Sequence, residues 1–244
     1  MLGTVEPTRD QVMSALHDAS TRFIGLVESL EPSDAVRPVP GLDWDVAETV
    51  AHVLTVVRRG FADRRRSATA SETAGLNQVC LEEMTERDLG VLARLLREDV
   101  HTALDLVFPK IPDDREFPFH GGVVTTMTPA LRILLGEYVI HGYDVARAVG
   151  RPWSIPDAES LLLVPGRLMG AWVRPDAAEE TYELRLGDAP PIRMAVGPRR
   201  LEVEQATGGT PISMAPADFV LAFYGREPVT DDGLARLQAN FVPS

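Results

Sequence analysis

Gly136-Glu-Tyr-Val-Ile-His141-Gly-Tyr-Asp144-Val-Ala-Arg-Ala-Val149 is the stretch that decides the fold. Glu137 and His141 are four residues apart, which on a helix puts both on one face, one turn apart. Leu134, Glu137, His141, Asp144 and Ala148 share a stripe, and Leu131, Leu135, Tyr138 and Val145 flank it. Three ionisable groups therefore lie along or beside the face that should pack inward. Burying them unpaired costs several kcal/mol, so something must compensate them. Thr128 as N-cap with Pro129 at the first helical position sets the start of this helix. Gly150-Arg-Pro152 ends it.

Working outward, the preceding segments also read as helices. Val12, Leu16, Phe23, Leu26 and Val27 recur at helical spacing within Thr8–Leu30, and Glu31-Pro32 stops that run. A linker covers Ser33–Leu42. Asp45 with Glu48 has the form of a capping box, opening a helix expected to reach Arg66. Arg64, Arg65 and Arg66 would then sit at the negative end of its dipole. Ser67–Asn77 reads as a loop, Glu86–Leu106 as a third helix, and Pro109–Thr126 as irregular. Four helices with polar connections predict an antiparallel four-helix bundle over residues 1–152. The pattern then changes to a helix over Asp157–Val173 and strands over Thr181–Leu186, Ile192–Val196 and Leu201–Gln205. Helices follow over Ala215–Tyr224 and Asp232–Phe241. Residues 153–244 thus form a small α/β domain, and the fold class is α+β.

The composition suits this reading. The chain has 244 residues, 45% hydrophobic and 25% charged, which argues against disorder. A net charge of −12 disfavours nucleic acid and anionic membranes as partners. Cys80 is the lone cysteine, so no internal disulfide forms. Met1–Asp10 lacks the basic-then-apolar pattern of a signal peptide, and no apolar run is long enough for a membrane helix. The expectation is a soluble cytoplasmic protein, a monomer or weak dimer. Lys110 is the only lysine among 24 basic residues, a bias that points to a GC-rich source.

His52, in the second helix, can reach Glu137 and His141 across the bundle. Two histidines and a glutamate form a catalytic zinc set with a fourth position open. Nickel, iron or manganese would accept the same ligands. The competing reading has both histidines satisfied in the core and Glu137 capping or paired with an arginine. Glu48 and His52 repeat the four-residue spacing, but Glu48 also completes a capping box. His120, before Gly121-Gly122, is placed to line a pocket. His17, His101 and the Arg58–Arg66 run read as solvated surface, and Cys80 as a small hydrophobe. No phosphate-cradling glycine loop and no Gly-x-Ser-x-Gly elbow occurs.

Gly41-Leu-Asp-Trp-Asp-Val-Ala-Glu-Thr-Val-Ala-His52, followed by Glu137-Tyr-Val-Ile-His141-Gly-Tyr-Asp144, resembles the mycothiol-dependent maleylpyruvate isomerase family, one of the DinB-like metal-binding bundles. Ala217-Asp218-Phe-Val-Leu-Ala-Phe-Tyr224-Gly225-Arg226 resembles the end of the sterol-carrier-protein-like domain that follows the bundle in many members. The resemblance implies a zinc-type site of His52, Glu137 and His141, with mycothiol as thiol cosubstrate. It implies that Asp144 orients a ligand or contacts the thiol, and that Arg226 faces the site and holds a substrate carboxylate. A metal-held thiolate would then attack a small electrophile, ending in cis–trans isomerisation or S-transfer. Two other readings remain open here. One is a non-catalytic binding protein whose Phe219, Leu221 and Phe223 line a lipid cavity. The other is a metal-dependent hydrolase with Glu48 as base.

Overall fold

The computed structural model describes residues 6–242. The first half of the Met1–Asp10 segment therefore lies outside the described residues. The helices of the first part are α1 (Arg9–Glu28), α2 (Val46–Phe61), α3 (Thr73–Glu83), α4 (Leu89–Val100) and α5 (Met127–Val149). Of these, α1, α5, α2 and α4 pack as neighbours in that order and close a ring, since α4 also packs on α1. Their apolar stripes meet inside it. Leu16 and Phe23 of α1, Val50 and Leu54 of α2, Leu92 and Leu96 of α4, and Leu135 and Tyr138 of α5 are fully buried.

Local signals account for most of the ends. Thr8 and Gln11 form a capping box on α1, and Asp45 and Glu48 form one on α2. Gly150 ends α5 in the left-handed conformation at φ 69°, which glycine adopts without a side-chain clash. Several expectations need correction. α5 starts at Met127 with Thr126 as N-cap, so Pro129 is its third residue and not its first. That is tolerated because amide hydrogens in a first turn have no intrahelical acceptor. α2 stops at Phe61, so Arg64, Arg65 and Arg66 lie beyond it, and Arg58 and Arg59 occupy its last turn. The presumed loop Ser67–Asn77 runs into α3, which packs against α2 with only Cys80 and Leu81 buried. Helix α4 begins after its cap Asp88 and widens into π-helical geometry over His101–Val107.

Within the irregular connection, β1 (Phe117–Pro118) pairs antiparallel with β2 (Val124–Thr125). After α5 come α6 (Asp157–Leu162) and a 3₁₀ segment over Arg167–Trp172. Pro165-Gly166 breaks the single helix expected there. Strands β3 (Glu180–Leu186), β4 (Ile192–Gly197), β5 (Arg200–Gln205) and β6 (Thr210–Met214) form one sheet in the order β5-β4-β3-β6. The pairs β3–β4 and β4–β5 are antiparallel, and β3–β6 is parallel. Tyr182, Leu184, Leu186, Met194 and Ile212 are buried, as period-two alternation requires. Helices α7 (Pro216–Phe223) and α8 (Asp232–Ala239) complete the chain. Phe219 and Phe223 stack on one another at 5.7 Å inside the core, so they are packing residues rather than a cavity lining. No described helix is long and apolar enough to cross a membrane.

Gly142, between His141 and Tyr143, shows how tightly the chain after the bundle is tied to it. Trp153 lies against this glycine, donates Nε1–H to the Val139 carbonyl at 3.1 Å, and carries the Arg22 guanidinium over its ring. A β-carbon at position 142 would overlap that ring. Gly142→Ala is expected to destabilise the protein by about 1–3 kcal/mol despite alanine's better helix propensity. Denaturant melts of the two proteins check this, and equal stability would contradict the packing.

Candidate metal centre

The ring order sets α2 beside α5, and both turn polar groups into their shared seam. His52 Nε2 lies 3.1 Å from Oε2 of Glu137, and His141 Nε2 lies 3.3 Å from the same oxygen. One ligating atom from each of the three residues lies within 4.8 Å of the others. His52 and His141 are buried, while Glu137 keeps 20% of its side chain exposed. The competing sequence reading paired Glu137 with an arginine; the structure pairs it with the two imidazoles.

A second layer holds these groups in place. Asp144, one turn beyond His141, lies 2.9 Å from its Nδ1. An ionised carboxylate only accepts, so Nδ1 carries the hydrogen and Nε2 is the nitrogen turned to Glu137. Arg226 donates Nε–H and Nη2–H to Asp144 at 3.0 and 2.8 Å, and Nη1–H to the Tyr224 carbonyl at 2.7 Å. Arg226, to which the resemblance gives a substrate carboxylate, is engaged with Asp144 in this structure. Trp44 lies 4.7 Å from the His52 ring and 6.4 Å from that of His141, centre to centre, and walls both imidazoles.

The electrostatics follow from these contacts. Burial pushes the Glu137 carboxyl up, but hydrogen bonds from His141 and His52 outweigh it and hold it well below the usual carboxylate range. Burial pushes the His141 imidazole down, yet Asp144 and Glu137 prevail and hold it up at about 8. For His52 burial prevails over Glu137, and its value is lowered. Burial acts to raise Asp144, but His141 and Arg226 together keep it low. Each carboxylate in this buried chain has a cationic or imidazole partner.

The other candidates fall elsewhere. Glu48 accepts from no histidine; its carboxylate takes the Asp45 amide hydrogen at 3.0 Å and caps α2. Its place in the capping box argues against a role as catalytic base. His120 Nδ1 accepts from the Ser67 amide at 3.3 Å, and the ring lies outside the three-residue cluster. His17 and His101 share Asp105 on the surface. A cavity of about 570 Å³ reaches Glu137 and is lined in part by Arg59, Arg66, Asn77 and His120. Sequence reasoning missed two participants. Trp44 lies inside the Gly41–His52 motif, but nothing local in the sequence gives it a role at the site. Arg59 was counted as a solvated helix end but is only 4% exposed.

Fold and site together define the class: a helical-bundle protein with a buried two-histidine, one-glutamate centre opening onto a cavity. The family model for the mycothiol maleylpyruvate isomerase N-terminal domain matches residues 16–146, more than half the chain, and the chain belongs to that family. Its fold is similar to a crystal structure of the mycothiol-dependent maleylpyruvate isomerase, with a TM-score of 0.63 and 14% identity over 95% of this chain and 94% of that one. A histidine-to-alanine mutant of the mycothiol-dependent maleylpyruvate isomerase gives 0.59 and 13%, covering 93% of each chain. No curated protein sequence matches.

Proposed function

We propose that the protein is a metal-dependent enzyme that uses mycothiol to act on a small electrophile, as a cis–trans isomerase or an S-transferase. The observation that carries this reading is the convergence of His52, Glu137 and His141 from two helices at the end of a cavity. The donor set fits a divalent cation of the zinc type: two imidazole nitrogens, one carboxylate oxygen, and a carboxylate behind one imidazole. A cation held there supplies one thing, a thiol deprotonated at neutral pH.

In this reading the chain's own residues supply the rest. Asp144 keeps the Nδ1 proton on His141, so that the Nε2 lone pair faces the centre. Arg226 keeps Asp144 ionised and fixes its direction, which makes it a positioning residue. Trp44 excludes water from the imidazole side. The cavity holds the electrophile so that its double bond meets the thiolate. Sulfur adds to one alkene carbon, and the electron pair moves onto the conjugated carbonyl. Rotation about the new single bond and expulsion of the thiolate give the trans alkene; proton capture and release of the conjugate give S-transfer. The bundle, residues 1–152, would carry the ligands. Residues 153–244, the sterol-carrier-like part, would supply Arg226. The cytoplasm is the expected compartment.

Turnover of an electrophile should require both mycothiol and the metal. Chelator-treated protein is expected to fall to the uncatalysed rate and to recover when zinc is restored. Full turnover in a verified metal-free preparation would sink the reading.

A further inference from the structure

The cavity that reaches Glu137 has a basic lining, although the protein as a whole carries a net charge of −12. Of the five arginines between 58 and 66, two are held in ion pairs. Arg58 is paired with Asp99, and Arg65 with Asp63 and Glu83. Arg59, Arg64, Arg66 and Arg115 line the cavity, and none has a carboxylate partner among the described residues; Arg64 and Arg115 are exposed, which leaves Arg59 and Arg66 as the inward cations. Arg66 is held by the carbonyls of Asp63, Arg65 and Arg59, which orient its guanidinium without neutralising it. Arg59 is 4% exposed, and its Nε and Nη1 are buried with no acceptor among the described residues. A guanidinium has five N–H donors and cannot lose its charge, so leaving it unpaired in the interior is costly.

The surroundings point the same way. Asp63 and Glu137 also line this cavity, but Arg65 occupies the first and the two imidazoles the second. His120 accepts the Ser67 amide hydrogen at Nδ1, which leaves its Nε2–H as a donor. Burial, with Arg59 and Arg66 nearby, pushes that imidazole down to about 4, so it is neutral at pH 7. Arg59 follows His52 by seven residues, two turns along the same face of α2, or roughly 10 Å. Its side chain leans back toward the helix N-terminus, which shortens the gap.

We propose that this end of the cavity is an anion subsite, in which Arg59, with Arg66 beside it, takes a carboxylate of the substrate while the reacting carbons lie toward Glu137. A planar carboxylate matches the two-pronged donor face of an arginine. The subsite rests on the proposed function only for its second half, the placing of the reacting carbons.

Succinate, with its uncharged diamide as control, is the probe, titrated by calorimetry into zinc-loaded and chelator-treated protein. Wild-type protein is expected to bind succinate in both forms and the diamide in neither. Arg59→Met is expected to bind succinate at least about tenfold more weakly while taking up zinc like the wild type. Arg59→Lys, which keeps the charge without the fork, should lose at least about threefold. Arg59→Met removes an unpartnered buried charge, so its melting temperature should be no lower than that of wild type. Undiminished succinate binding in either variant overturns the proposal. So does binding that needs zinc and ignores Arg59, because the carboxylate would then sit on the metal. If wild-type protein takes up no zinc, the metal reading fails, and the chelator-treated arm still decides the subsite.

Discussion

Protein reconstituted with zinc is expected to hold about one equivalent of metal, and His52→Ala and Glu137→Ala less than about a tenth of that. The three ligating atoms lie within 4.8 Å of one another, and Glu137 is the only residue of the three that touches both others through its carboxylate. Removing it leaves two imidazoles with ring centres 5.1 Å apart and no anion between them, a poor cation site. Removing His52 deletes the ligand that α2 supplies, leaving only the pair on α5. Elemental analysis of the dialysed proteins checks this, and thiol-dependent turnover should fall in parallel. A full equivalent in either variant would mean that the metal, if any, sits elsewhere.

The second large effect concerns Asp144. Asp144→Ala is expected to cost about 3–5 kcal/mol of stability, because it leaves the largely buried Arg226 guanidinium without its anion. For a chain of this length that corresponds to a melting temperature lower by roughly 6–20 °C. Metal affinity should fall about 10–100-fold, since His141 loses the acceptor that fixes its ring. Adding Arg226→Met to Asp144→Ala should recover part of the stability but not the metal affinity, because the stranded charge is gone while the imidazole is still loose. Simple additivity in both measurements would remove the positioning role. The pH dependence has a definite sign. The folded-state Asp144 carboxyl is held below its ordinary value, so the pair's contribution is fully present above about pH 4 and is lost as the pH falls through the folded value.

The parts of the fold written in local sequence were legible. The Asp45–Glu48 box, the apolar stripes of the bundle helices and the alternation in β3 each occupy one short window. The clustering of His52, Glu137 and His141 was legible because two members share a helix face and the third needs only a neighbouring helix. Segment α3 was not, because burying just Cys80 and Leu81 leaves no stripe to find. Strand β6 was missed because Thr210-Pro-Ile-Ser-Met carries a proline and pairs in parallel with a strand far earlier in the chain. Arg226 was placed near the site by resemblance, but its partner lies 82 residues away and only tertiary structure reveals it. Arg59 was misread because basic residues at a helix end are locally favourable in water. The cavity around it is built by side chains from Thr73 and Phe108 onward as well as from α2.

The three candidate ligands come from two helices that are neighbours in space, with His52 and Glu137 85 residues apart in sequence. A fragment without either helix would lack part of the cluster. Parting α2 from α5 would break it, so loss of a cation bound there and breathing of the seam would be one event seen from two sides. Occupancy of the centre by a metal would then report how often the bundle opens. Conditions that starve the protein of metal would loosen the whole assembly before any chemistry is attempted.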